Sequence, residues 1–135
     1  MYPRVFHYLV CAASLVAAQS ALAQAFDQYS GQETYMRFCA ACHGEDAKGN
    51  GPVAAGLPIT VPDLTVLQKR RGDQFPEEVV RRIIDGQDIV VLHGTRYMPV
   101  WGYEFWVEEG ADDEAVERVV TIVDNLVDYL RSVQE

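Results

Sequence analysis

The sequence predicts an all-α domain, and three observations carry that expectation. Val116, Val119, Val120, Val123, Leu126, Val127 and Leu130 recur at helical spacing behind the acidic start Asp112-Asp113-Glu114. Val79, Val80, Ile83 and Ile84 form a second stripe at i, i+1, i+4 and i+5. The only extended piece the pattern suggests is short, residues 89–92. A length of 135 residues is that of one ordinary domain. Eleven basic against twenty acidic residues give a net charge of −9 and a pI near 4.7. That balance excludes binding to nucleic acid, whose phosphates need a basic surface, and argues against docking on anionic lipid. With 49% hydrophobic and 23% charged residues, the composition is that of a folded chain.

The first element is a leader. Arg4 is the only charge within residues 1–23, residues 5–18 are mostly apolar, and Ala21-Leu22-Ala23 is a small-x-small site. This is the layout of a secretory signal peptide, cleaved to leave a domain of residues 24–135. The competing reading, a membrane anchor, meets an apolar run that is short for a bilayer and contains His7. Val10 precedes Cys11, where a lipoprotein would carry a small residue, so Cys11 belongs to the leader. No other segment approaches spanning length, and no stable membrane insertion is expected after cleavage. The exported chain is one unit more acidic than the whole. It keeps two cysteines, Cys39 and Cys42, for a periplasmic setting where thiols tend to be oxidised.

Residues 26–30 show no period. Ser30 then caps a first helix running to about Cys42. Its end carries Cys39-Ala40-Ala41-Cys42-His43, the C-x-x-C-H attachment sequence for c-type haem. Residues three apart share a helix face, so both thiols reach one edge of a haem, and the next residue offers an imidazole to the iron. Ala40 and Ala41 leave room for the porphyrin. Three other readings compete. A redox dithiol lacks a thioredoxin-like context. A zinc site built from Cys39, Cys42, His43 and His93 lacks a second knuckle and places adjacent residues on one tetrahedral ion. A plain disulfide leaves His43 unexplained. No second C-x-x-C-H and no internal repeat occur, so one haem is expected.

Residues 44–52 are dense in turn signals. Pro62-Asp63-Leu64-Thr65 starts a short helix with Asp63 as cap, with Leu64 and Leu67 toward the haem pocket. Residues 73–76 start the helix that bears the Val79–Ile84 stripe. Arg81 and Arg82 lie off that stripe and join Lys69, Arg70 and Arg71 in a basic cluster. The cluster is either a solvated face or a contact for haem propionates or an acidic partner. Residues 86–101 read as loop, and the long last helix opens at Asp112. Its first-turn acids suit the positive end of the helix dipole.

From Gly31 to Val133 the sequence resembles the class I monohaem cytochromes c. The resemblance implies several helices wrapped around one covalently attached haem, with N- and C-terminal helices crossing. Gly31 and Tyr35 would meet Leu126 and Tyr129 at that crossing. It implies His43 and Met98 as axial ligands. Met98 lies in Arg96-Tyr97-Met98-Pro99-Val100-Trp101-Gly102, where Pro99 disfavours helix at Met98 and keeps it in an extended loop. Met36 sits on the attachment helix itself and cannot reach the opposite face. His93 is the next distal candidate. A proline carbonyl commonly accepts the Nδ1 proton of the proximal histidine in the family. Pro52 is the candidate here, with Pro58 as the alternative. Trp101 would cover the haem or its propionate edge. Trp106 is equally well explained by core packing.

The function implied is a periplasmic one-electron carrier with a single covalent haem c. It would dock protein donors and acceptors at the haem edge through a small transient interface. Two alternatives share the haem: a cytochrome c subunit of a periplasmic oxidoreductase, and a haem enzyme or gas sensor with open iron. Glu104, Glu108, Glu109, Asp112, Asp113, Glu114 and Glu117 fall within fourteen residues that hold no base. They either steer a basic partner or serve solubility and capping.

Overall fold

The computed structural model describes residues 30–87 and 97–135. The leader with Cys11, the tail before Ser30, the extended piece at 89–92 and His93 lie outside the described residues. Among those described there are five α-helices and no strand. These are α1 (Gly31–Phe38), α2 (Ala40–His43), α3 (Glu77–Asp85), α4 (Trp101–Glu108) and α5 (Asp113–Ser132), with 3-10 turns at Ala54–Gly56 and Lys69–Arg71. No helix among the described residues is long and apolar enough to cross a membrane.

Ser30 begins α1 because its extended backbone (ψ 138°) lets its hydroxyl oxygen accept from the Glu33 N–H at 3.2 Å. Glu33 adds a carboxylate at the positive end of the helix. The expected single helix to Cys42 is interrupted by one residue. Cys39, at φ −111°, closes α1 and opens α2. The ladder passes through it nearly intact, since Cys39 N–H reaches the Tyr35 carbonyl at 2.9 Å and the His43 N–H reaches the Cys39 carbonyl at 2.9 Å.

Asp112 caps α5 as expected, its Oδ1 accepting from the Ala115 N–H at 2.7 Å. Ala115, Val119, Ile122, Val123, Leu126, Val127 and Leu130 are buried along one side of α5. Val116 and Val120 belong to the same run but are 54% and 53% exposed, because they lie on the flank beyond the buried stripe. α1 crosses α5 at Gly31, where an added Cβ would sit 1.9 Å from the Asn125 carbonyl oxygen and 2.8 Å from the Tyr129 Cβ. One turn on, fully buried Tyr35 packs on Tyr129 with ring centroids 5.2 Å apart. α3 and α4 complete the core against the remaining face of α5.

Two stretches differ from the sequence pattern. Residues 101–108 form α4, where the pattern ends its loop at Trp101 and assigns no element to the residues that follow. No side chain caps it, and Gly102 stands in its first turn, so no local signal announces it. Aromatic packing holds it instead. Phe105 is buried, Trp101 stacks on Phe105 at 5.8 Å, and Phe38 of α1 lies 5.5 Å from Trp101 and 5.2 Å from Phe105. Trp106, partly buried against the core, donates its indole N–H to the Asp112 carbonyl at 3.1 Å. The other stretch is 63–68, which forms a turn leading into Lys69–Arg71. Asp63 Oδ1 accepts from both the backbone N–H (2.8 Å) and hydroxyl (2.7 Å) of Thr65, an Asx turn that competes with helix. Leu64 and Leu67 still pack on the core.

Residues beyond α5 fold back over this turn. The Gln134 amide accepts from the Gln68 N–H (2.9 Å) and donates to the Leu64 carbonyl (2.7 Å), and the Glu135 N–H reaches the Thr65 carbonyl at 2.9 Å.

Candidate haem attachment site

Cys39 and Cys42 are free thiols one helical turn apart, the first buried and the second half-buried. Burial pushes the Cys39 thiol up to about 12, with Cys42 beside it adding to the effect. His43 ends α2, and its Nδ1 lies 3.4 Å from the carbonyl oxygen of Pro62. A carbonyl only accepts, so this pairing fixes the proton on Nδ1 and leaves the Nε2 lone pair free. Burial lowers the His43 pKa, and the opposing pull of the Pro62 carbonyl is the weaker effect. The imidazole is therefore neutral at neutral pH, the form that binds a metal.

The carbonyl that serves His43 belongs to Pro62, and neither Pro52 nor Pro58 takes that place. The path of the loop explains the correction. Gly49, Gly51 and Val53 donate their N–H groups to the carbonyls of His43 (2.7 Å), Cys42 (3.1 Å) and Ala41 (2.9 Å). Residues 49–53 thus lie back along the end of α2, and Pro52 turns outward on this return and is exposed. Gly51 must be glycine, since a Cβ there would stand 2.4 Å from the Ala41 carbonyl oxygen. The chain returns a second time. The Leu64 N–H bonds the Ala47 carbonyl at 2.8 Å, and a Cβ on Gly49 would meet the Val61 carbonyl at 2.4 Å. That second pass, not the first, brings a proline carbonyl to the imidazole. The turn signals of 44–52 announce the loop but not which pass faces His43.

Met98 is partly buried and packs on the core, in the segment that leads into α4. The two ends of this connection are pinned together. A Cβ on Gly86, just after α3, would lie 2.5 Å from Val100 Cγ1, and one on Gly102 would lie 2.0 Å from Asp85 Oδ1. Val100 and Gly102 are therefore anchored at the α3–α4 corner, two residues and four residues after Met98. Trp101 stands at the start of α4 with its indole in the cluster of Phe38 and Phe105. Met36 is exposed. Among the described residues no group of three or more His, Cys, Asp and Glu is placed to hold a metal ion, and the zinc alternative needs His93, outside them.

The donor set fits a haem. Two free thiols lie on one turn, and a neutral imidazole held through Nδ1 has its other nitrogen available. That combination on an all-α fold with its first and last described helices crossed defines a c-type cytochrome. The chain belongs to the family described as cytochrome c oxidase, cbb3-type, subunit III, which matches residues 27–121. No curated protein and no solved structure matches it. The family supports the resemblance to class I c-type cytochromes and implies covalently bound haem c and haem-based electron transfer.

Proposed function

We propose that the protein is an exported one-electron carrier holding a single haem c through Cys39 and Cys42, with His43 and Met98 as axial ligands. The observation that carries this reading is His43, kept neutral by burial and oriented by the Pro62 carbonyl directly after two free thiols. When bound, the haem supplies a one-electron couple. The protein contributes the rest: thioether anchorage from the two cysteines, a basic imidazole donor and a thioether donor just ahead of the α3–α4 corner. His43 and Met98 would both hold the iron, so the protein would exchange single electrons with protein partners and leave no ligand position for a substrate.

The test is expression in a host that attaches haem. The periplasmic protein should begin at Gln24, and its intact mass should show one haem on Cys39 and Cys42. Met98→Ala should keep that adduct but lose the methionine–iron charge-transfer band, bind carbon monoxide and shift to lower potential. An unaltered spectrum and potential would remove Met98 from the iron and turn attention to His93.

The family match favours a second reading, because its description is that of an oxidase subunit. Here the protein would be the electron-accepting subunit of a periplasmic oxidoreductase. Mild isolation from the native host separates the two: a stoichiometric catalytic partner supports the subunit, a lone haem protein the shuttle.

A further inference from the structure

We infer that Tyr35 is a positioning residue for the His43 ligand, linking the α1–α5 crossing to the peptide that follows the imidazole. The inference rests on the haem reading above. The Tyr35 hydroxyl donates to the Gly44 carbonyl at 2.6 Å, in a fully buried setting. Gly44 is the residue after His43. Its backbone (φ 82°, ψ 154°) suits glycine alone, and a Cβ there would strike Asn50 Oδ1 at 1.9 Å. The same carbonyl accepts the Ala47 N–H at 3.1 Å, while the Gly44 N–H reaches the Ala40 carbonyl at 2.9 Å. Gly44 is thus held by α2 through its N–H and by Ala47 and Tyr35 through its carbonyl, and Tyr35 supplies the one side-chain contact, the one that ties it to α1.

The hydroxyl is surplus to packing. A phenylalanine would fill the crossing against Tyr129 equally well, so the O–H must be explained by what it bonds. Burial, with Cys39, Tyr129 and Asp46 nearby, holds the phenol well above its ordinary pKa, so it stays a donor throughout the working range. The His43 ring is oriented by a single long hydrogen bond, 3.4 Å to Pro62. Freeing the adjacent peptide lets the ring turn away from that carbonyl. A weaker Nδ1 hydrogen bond makes a less basic imidazole, which stabilises oxidised iron less. The potential should therefore rise.

The experiment uses holoprotein whose mass shows the haem adduct. Tyr35→Phe is compared with Tyr129→Phe, which removes a hydroxyl from the same crossing but leaves the Gly44 contact. The readouts are the reduction potential and solvent exchange of the His43 Nδ1 proton. Tyr35→Phe should raise the potential and speed exchange on the order of tenfold, the size expected for one lost hydrogen bond; Tyr129→Phe should do neither. A Tyr35→Phe protein with a lower denaturant midpoint but wild-type exchange and potential would reduce Tyr35 to a packing residue. Should that variant not accumulate as folded holoprotein, the wild type decides. As denaturant rises, the Tyr35 hydroxyl and His43 Nδ1 protons must exchange through one shared opening, and independent exchange overturns the link. Failure of the wild type to carry haem is a different result and sinks the haem reading instead.

Discussion

Gly31 shows how much one missing methyl decides. An added Cβ would approach the Asn125 carbonyl oxygen to 1.9 Å, far inside any real contact. The obstacle is backbone, so no rotamer change relieves it. Alanine gains about 1 kcal/mol of helix propensity over glycine, whereas overpacking costs roughly 1–3 kcal/mol. With an immovable partner the second effect wins. Gly31→Ala should lower the denaturant midpoint of the holoprotein, and Gly31→Val should lower it further. An alanine variant as stable as wild type would mean that the helices do not cross at this point. The glycine–aromatic pair Gly31 and Tyr35 was legible through the resemblance, which places such a pair at the helix crossing. The obstacle itself, a carbonyl of Asn125 and not the Leu126 side chain, was not legible, since a side-chain pattern says nothing of where the partner's backbone turns. Pro62 stayed hidden for a similar reason: three prolines share one loop, and only its double return selects among them.

Elements announced by a cap or by an apolar stripe were readable, and α4, held by aromatic packing alone, was not. Ser30 and Asp112 each accept a backbone N–H at the start of α1 and α5, and both starts fall where the sequence puts them. α4 has no such signal. Its eight residues combine a first-turn glycine with aromatics and valine, modest helix formers that Phe38 and the core hold in place. The cap of α5 can be weighed directly. Asp112→Ala should destabilise by about 1 kcal/mol, and Asp112→Asn, which keeps the cap oxygen but not the charge, should recover most of it. Thermal unfolding of the holoprotein checks both, and equal losses in the two variants would assign the effect to charge, for Asp112 also lies 3.4 Å from Arg118. Val116 and Val120 mark the limit of periodicity: a stripe of valines predicts the helix correctly but overstates the width of its buried face.

At the scale of the molecule, charge is unevenly spread. Arg81 and Arg82 are drawn into pairs with Glu77, Glu78 and Asp124, so the basic cluster read from the sequence reduces to exposed Lys69, Arg70 and Arg71. Within the acidic run, Glu109 and Asp112 face Arg118, and Glu108 faces Arg37. Glu104, Asp113, Glu114 and Glu117 are exposed on α4 and α5. These surface pairs contribute little to stability, but a net charge of −9 creates a field beyond the surface. Electron transfer to a basic protein acceptor should slow as salt rises, while transfer to a small neutral acceptor should not. Stopped-flow rates across an ionic-strength series would show this, and identical salt slopes for the two acceptors would leave the acids a role in solubility alone.

The fold-back of residues 134 and 135 over the 64–68 turn has a consequence for timing. Those residues leave the ribosome long after the thiols do, yet they clasp the turn next to Pro62. The crossing at Gly31 likewise waits for α5. The contacts that close the turn beside Pro62 thus need the last residues of α5 and its tail to be in place. Once they are, Cys39 is 9% exposed and its thiol is reluctant to ionise, a poor nucleophile in a closed room. The proposed thioether bonds therefore belong to a chain still open, and closure serves as the seal on a joining already done.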